Sequence, residues 1–219
     1  MTTTSTRVIV DADILIKLSA LDVFEQCLHA LGFRMDQCAT MQSMKFSAGL
    51  TKPAVRERKA GPGLPAQRLL ETLQRIPSLD PTTAAEQALA AEMVRQSQRL
   101  GLAIDGGEAI VMSVCILRKL DYVTTGDKKA VRSLPLLEPA VPVISELRQR
   151  VVPLECLLLR LLERVPYSSV RPRLDAGAYC DTAVRRALEQ AGADGRLFVQ
   201  LLTDKAKQLA SQAPRFLAL

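Results

Sequence analysis

A short apolar run, Val8-Ile9-Val10, stops at two carboxylates, Asp11 and Asp13, and gives way at once to a helical period. Leu15, Leu18, Leu21, Leu28 and Leu31 predict one helix over 14–31, with Gly32 placed to end it. The stretch 33–44 has no clear period, although Cys38-Ala39-Thr40 suits a short second strand. Leu69, Leu70, Leu73 and Ile76 then mark an apolar helical face behind Pro65, a residue suited to a first helical turn. A break is expected over 77–81. Thr83-Ala84-Ala85-Glu86 has the form of a capping box and predicts an Ala-rich helix reaching about Leu100, ended by Gly101. Residues 109–117 are apolar nearly all round, which predicts a helix buried against a sheet. Tyr122 to Thr125 reads as the next strand. Val141 to Ile144 reads as another, with Pro142 implying an edge or a bend. Residues 147–164 read as one helix in which Pro153 is either a kink or a boundary.

Beyond Pro166 the strand signal ends. Residues 166–172 read as a linker, followed by helical patterns around 176–191 and 196–213. The expected organisation is a disordered leader over 1–6, an α/β domain over 7–165 and a helical C-terminal extension over 166–219. Strands alternating with helices predict a three-layer α/β/α architecture around a central, mainly parallel sheet.

The chain has 219 residues, 48% of them hydrophobic, enough for a substantial core. Aromatic residues make up 4% and Trp is absent, which argues against base stacking as the main recognition device. A formal net charge of +6 favours anionic partners, nucleic acid first. The basic segment 45–59 carries Lys45, Lys52, Arg56, Arg58 and Lys59. It reads first as a solvated loop or short helix and second as a phosphate-contacting surface. Cys27, Cys38, Cys115, Cys156 and Cys180 are too dispersed for a paired metal-ligand pattern and suit reduced core positions. The single histidine, His29, falls on a helix surface, which disfavours zinc and Ser-His-Asp chemistry. The leader is polar rather than signal-like, and no apolar run reaches bilayer-spanning length. A cytoplasmic protein without a membrane partner is expected.

Three acidic stations fall at junctions that such a sheet brings together: Asp11 with Asp13, Asp105 with Glu108, and Asp127. Ligands of open α/β sheets collect outside the carboxyl ends of the strands. Carboxylates gathered there suit a hard cation such as Mg²⁺ or Mn²⁺. Each station also has a purely structural reading. Asp105 and Glu108 are spaced as a capping box, Asp13 is placed to cap the first helix, and Asp127 suits a turn.

Val8 to Leu18, Ile104-Asp105-Gly106-Gly107-Glu108-Ala109 and Val123-Thr124-Thr125-Gly126-Asp127-Lys128-Lys129-Ala130 resemble, in order, the acidic motifs of the PIN-domain family. The resemblance covers roughly residues 7–160. It implies a Mg²⁺- or Mn²⁺-dependent endoribonuclease, often the toxin of a toxin–antitoxin pair. Asp11, Glu108 and Asp127 match the family's metal-binding acids, with Asp105 as helper. Asp13 would be a supporting residue, Thr125 would orient Asp127, and Lys128 and Lys129 would contact substrate phosphates. The sequence departs from the family at 40–46, where an expected glutamate has no counterpart.

Two other readings follow from the same residues. That missing acid supports a non-catalytic PIN-like module that binds RNA or protein. Asp11-x-Asp13 after an apolar strand also suits a haloacid dehalogenase-like phosphatase with an aspartyl nucleophile, although Ile14-Leu15-Ile16-Lys17 fits that motif poorly. RNA is the expected partner, with an antitoxin or other protein and a second copy of the chain as further candidates.

Overall fold

The structure, a computed structural model, describes residues 6–79 and 82–218. The leader expected over 1–6 lies outside the described residues apart from Thr6, as do Asp80 and Pro81 of the expected break. The strands β1 (Val8–Val10), β2 (Cys38–Ala39), β3 (Tyr122–Thr125) and β4 (Val151–Pro153) form one sheet in the order β2-β1-β3-β4, with every pairing parallel. Helices cover both faces, so the three-layer α/β/α expectation holds.

The alternation of β1 makes the two faces. Val8 and Val10 enter one hydrophobic cluster and Ile9 enters the other. The first cluster is built with α1 (Ala12–Ala20), α2 (Phe24–Ala30), α5 (Leu64–Arg75) and α9 (Leu154–Leu162). The second is built with α6 (Ala84–Arg99), α7 (Gly106–Leu117) and α8 (Lys128–Leu137). Two short helices, α3 (Gln42–Ala48) and α4 (Pro53–Ala60), lie between β2 and α5.

Local chemistry explains most boundaries. Thr83 and Glu86 close a reciprocal capping box at α6, and α5 carries Pro65 in its first turn. Where 14–31 reads as one helix, the chain instead breaks at Asp22, which takes φ 57° between α1 and α2. The strand expected at Val141–Ile144 is a 3-10 helix over Pro142–Leu147, because Pro142 supplies no amide for a ladder and suits a helical first turn. The fourth strand lies instead at Val151–Pro153, and Pro153 is the boundary that separates it from α9.

Residues 166–172 are not a linker. Pro166 is the N-cap and residues 167–172 the first turns of α10 (Tyr167–Gly177), which is followed by α11 (Thr182–Ala191) and α12 (Gly195–Gln212). Val170, Leu174, Val184, Leu188, Phe198 and Leu202 enter the same cluster as Val8 and Val10, so this segment completes the core beneath one sheet face. Gly177 makes its approach close. A Cβ there would stand 2.2 Å from the carbonyl oxygen of Ala20.

Both flanks of the sheet are occupied by the chain itself. Beside β2, Thr40 bridges to Ser78, with Thr40 N donating to Pro77 O at 3.1 Å and Leu79 N to Thr40 O at 2.9 Å. Beside β4, Val151 N donates to Phe216 O at 3.1 Å and Ala218 N returns to Val151 O at 3.0 Å. No helix among the described residues is long and apolar enough to cross a membrane.

Candidate functional site

The strand order has a switch point. From β1 the chain crosses to β2 on one side, whereas β3 lies on the other, and a crevice opens between the carboxyl ends of β1 and β3. A cavity of about 750 Å³ occupies this edge. Asp11, Asp13, Asp105, Glu108 and Asp127 all line it, so the acidic stations share one cavity although they are far apart in the chain.

Each acid is placed by its element. Asp11 follows β1, with its amide donating to Thr124 O at 3.2 Å, and is 8% exposed. Its carboxyl is pushed up to about 6, first by burial and then by the charge of Asp13, with Asp105 adding to the effect. Asp105 and Glu108 form the expected capping box at α7. Glu108 N donates to Asp105 Oδ1 and Asp105 N donates to Glu108 Oε2, both at 2.9 Å. Glu108 is pushed up to about 8 by burial, and Asp127 adds to this through its charge and through a hydrogen bond that favours the protonated form. Asp127 caps α8, accepting from Lys129 N at 2.6 Å and Ala130 N at 2.9 Å through Oδ1. Capping and cavity lining are thus performed by the same carboxylates. Thr125 joins two of the stations, since its hydroxyl donates to Asp11 Oδ2 at 3.4 Å and accepts from Asp127 N at 3.2 Å.

Asp13 differs from its expected role. The N-cap position of α1 belongs to Asp11, without a side-chain capping bond, and Asp13 sits in the first turn. There it pairs with Lys17 at 2.6 Å. Its carboxylate also lies against Gly126, where a Cβ would come within 1.8 Å of Asp13 Oδ2. Glycine at 126 is what allows α1 and the β3–α8 turn to approach.

The basic residues separate into groups. Lys59 and Lys129 line the cavity, Lys129 exposed and Lys59 donating to Ser47 O at 2.9 Å. Lys52 and Arg58 are exposed on or beside α4 but do not line the cavity. Lys128 lines it too, yet its ammonium is ion-paired with the buried carboxylate of Glu155 in α9. Lys45 and Arg56 correct the picture of a solvated basic segment. Both are buried. Lys45 donates to Ile76 O, and Arg56 Nη1 donates to Gly49 O at 2.6 Å. A buried cation needs such partners, and in holding α3, α4 and α5 together these two have no free surface for a phosphate.

One cavity residue has no forerunner in the sequence reading. Asp181 comes from the C-terminal segment, caps α11 through Ala183 N and Val184 N at 2.9 and 2.8 Å, and pairs with Lys17 at 3.0 Å. Lys17 therefore bridges Asp13 and Asp181. Asp13, four positions before Lys17 on one helix, is a pairing that a local pattern can show; a partner from a remote helix leaves none. His29 is exposed on α2, and four of the five free cysteines are buried while Cys180 reaches the cavity wall half-buried.

The donor set at the cavity is carboxylate oxygen, which suits a hard divalent cation rather than zinc. As they stand, no three histidine, cysteine, aspartate or glutamate side chains among the described residues group tightly enough to hold a metal ion. Burial first, and the charges of neighbouring acids after it, hold the carboxyls of Asp11 and Glu108 above their ordinary values. Of residues 40–46 only Met44 lines the cavity, with Ser47 just beyond them and no acid. Comparison with family models, with curated proteins and with solved structures returns no match for this chain.

Proposed function

We propose that this chain is a PIN-type ribonuclease that uses Mg²⁺ or Mn²⁺. The supporting observation is that Asp11, Glu108 and Asp127, from three separate elements, line one cavity at the switch point of a parallel sheet. These three would hold the cation, with Asp105 beside them. When bound, such an ion supplies a water activated for attack on a phosphodiester and charge to stabilise the leaving oxygen. The chain's own part is positional. Thr125 holds the β1 and β3 carboxylates in register, and α7 and α8 fix Glu108 and Asp127 through their caps. Lys59 and Lys129 are the cations placed to meet substrate phosphates without regard to sequence, a contact that weakens with salt.

The test is cleavage of RNA with Mn²⁺ or Mg²⁺ by the full chain and by Asp11→Asn. Loss of cleavage in the variant, and in the parent with a chelator, is expected. Equal cleavage by both would remove the proposal. The resemblance extends it to growth arrest on expression, relieved by the same substitution.

A second reading, a binding module that does not cut, is favoured by one observation: α3 presents Met44 and Ser47 where a further acid would complete the set. Mn²⁺ titration separates the two, since a binder of this kind takes up no ion in the millimolar range or tighter.

A further inference from the structure

Lys17 stands at the junction of the cavity and the C-terminal helices. Its side chain is 15% exposed and pairs with Asp13 at 2.6 Å and Asp181 at 3.0 Å. Asp181 is itself fixed, because its Oδ1 holds the first turn of α11 while Oδ2 faces the ammonium. The neighbouring Cys180 thiol lies 3.7 Å from Lys17 O and 3.0 Å from Gly177 O, and Gly177 packs on the backbone of Ala20 and Leu21. Residues 177–184 are therefore seated against the last turns of α1, on the side from which Lys17 reaches the cavity. On the far side, the Asp13 carboxylate rests on Gly126, between Thr125 and Asp127.

The charges explain why this arrangement matters. Lys17 follows Asp11 on the same short stretch, and a buried ammonium with a single carboxylate partner would neutralise that partner and be drawn toward the next. With two partners it is held between them, and Lys17, Asp13 and Asp181 together keep one net negative charge at the wall.

We infer that Asp181 is a positioning residue of the acid cavity: by sharing Lys17 with Asp13, it keeps that ammonium from competing with a divalent cation for the cavity's carboxylates. This rests on the metal-site reading above. It goes beyond that reading by making the C-terminal helices part of the site's electrostatics.

Asp181→Asn is a suitable probe, because asparagine caps a helix about as well as aspartate and the change removes the charge alone. Mn²⁺ is titrated by calorimetry into the full chain, Asp181→Asn, Lys17→Met and the double variant, with melting followed by circular dichroism as a check on folding. Asp181→Asn is expected to weaken Mn²⁺ binding roughly tenfold, the scale of one uncompensated charge a few ångströms away in a half-buried site. The double variant, lacking the competing ammonium, is expected to return to within about threefold of the parent. Parental affinity in Asp181→Asn overturns the inference. So does a double variant as weak as the single one, which would mean that Asp181 matters only for packing. No Mn²⁺ binding by the parent chain sinks the metal-site reading itself, and this inference with it.

Discussion

The hydroxyl of Thr125 donates to Asp11 Oδ2 at 3.4 Å, tying the end of β3 to the end of β1 across the switch point of the sheet. The same oxygen accepts from the amide of Asp127 at 3.2 Å, so one side chain sets the spacing of two carboxylates. Thr125→Val keeps the shape and removes both bonds. Cleavage is expected to fall roughly 10- to 100-fold, in line with one lost positioning contact. The pH at which half-maximal activity is reached should move upward, because the hydroxyl favours the ionised form of Asp11. Thr125→Ser should retain most activity. A valine variant with an unshifted profile would show that the hydroxyl does not act on Asp11.

Stability should depend on pH in a sense opposite to that of most carboxylates. Asp11 and Glu108 hold protons up to about 6 and about 8 in the folded protein, against roughly 4 in an unfolded chain. Between those values the native state carries more protons than the unfolded state, so stability declines as pH rises from about 4 toward about 8. Asp11→Asn removes part of this penalty and should raise the melting temperature at pH 8 by a few degrees, roughly 2–4 °C per kcal/mol for a chain of this size. Melting scans from pH 5 to 8 check this. A parent protein that grows more stable across the window contradicts it.

Lys128 and Lys129 are adjacent but should respond differently. Lys128 neutralises Glu155, whose side chain is 3% exposed and whose Oε2 has no hydrogen bond. Lys128→Met strands that carboxylate, at a cost of about 3 kcal/mol or more. Lys129→Met should change stability by less than about 0.5 kcal/mol, while weakening RNA binding and flattening its dependence on salt. Urea titrations and binding at two salt concentrations separate the two effects. Equal destabilisation by both variants would refute the assignment.

Gly177 offers a test in which two principles predict opposite signs. Alanine inside a helix is ordinarily better than glycine by about 1 kcal/mol. Here the added carbon would meet the carbonyl of Ala20 at 2.2 Å and Leu21 Cα at 2.6 Å, backbone atoms that cannot rotate away. Gly177→Ala is therefore expected to destabilise by about 1–3 kcal/mol, the usual range for overpacking. Protease cuts in residues 166–219 should appear earlier than in the parent.

The acids that share the cavity were legible because each marks a local event. Asp11 closes an apolar strand, Asp105 and Glu108 carry the spacing of a cap, and Asp127 follows the Val-Thr-Thr strand. What stayed hidden depends on distant partners. Lys45 and Arg56 look solvated until Ile76 O and Gly49 O are seen to take their charges inside. Asp181 joins the cavity through Lys17, a partner from the far end of the chain that no local pattern reveals. The fourth strand was misplaced for a local reason. Val141-Pro142-Val143-Ile144 has β-type composition, but proline directs it into a 3-10 turn, whereas Val151-Val152-Pro153 sits inside a longer helical period.

The sheet's two borders suggest how the protein meets other molecules. With Pro77 to Leu79 along one margin and Phe216 to Ala218 along the other, the outer strands already have neighbours from their own chain. Recruitment of a visitor by extending the ladder would first require one of these segments to peel away. Deleting 214–219 should leave β4 bare and sticky, which sedimentation or light scattering would register as concentration-dependent clumping.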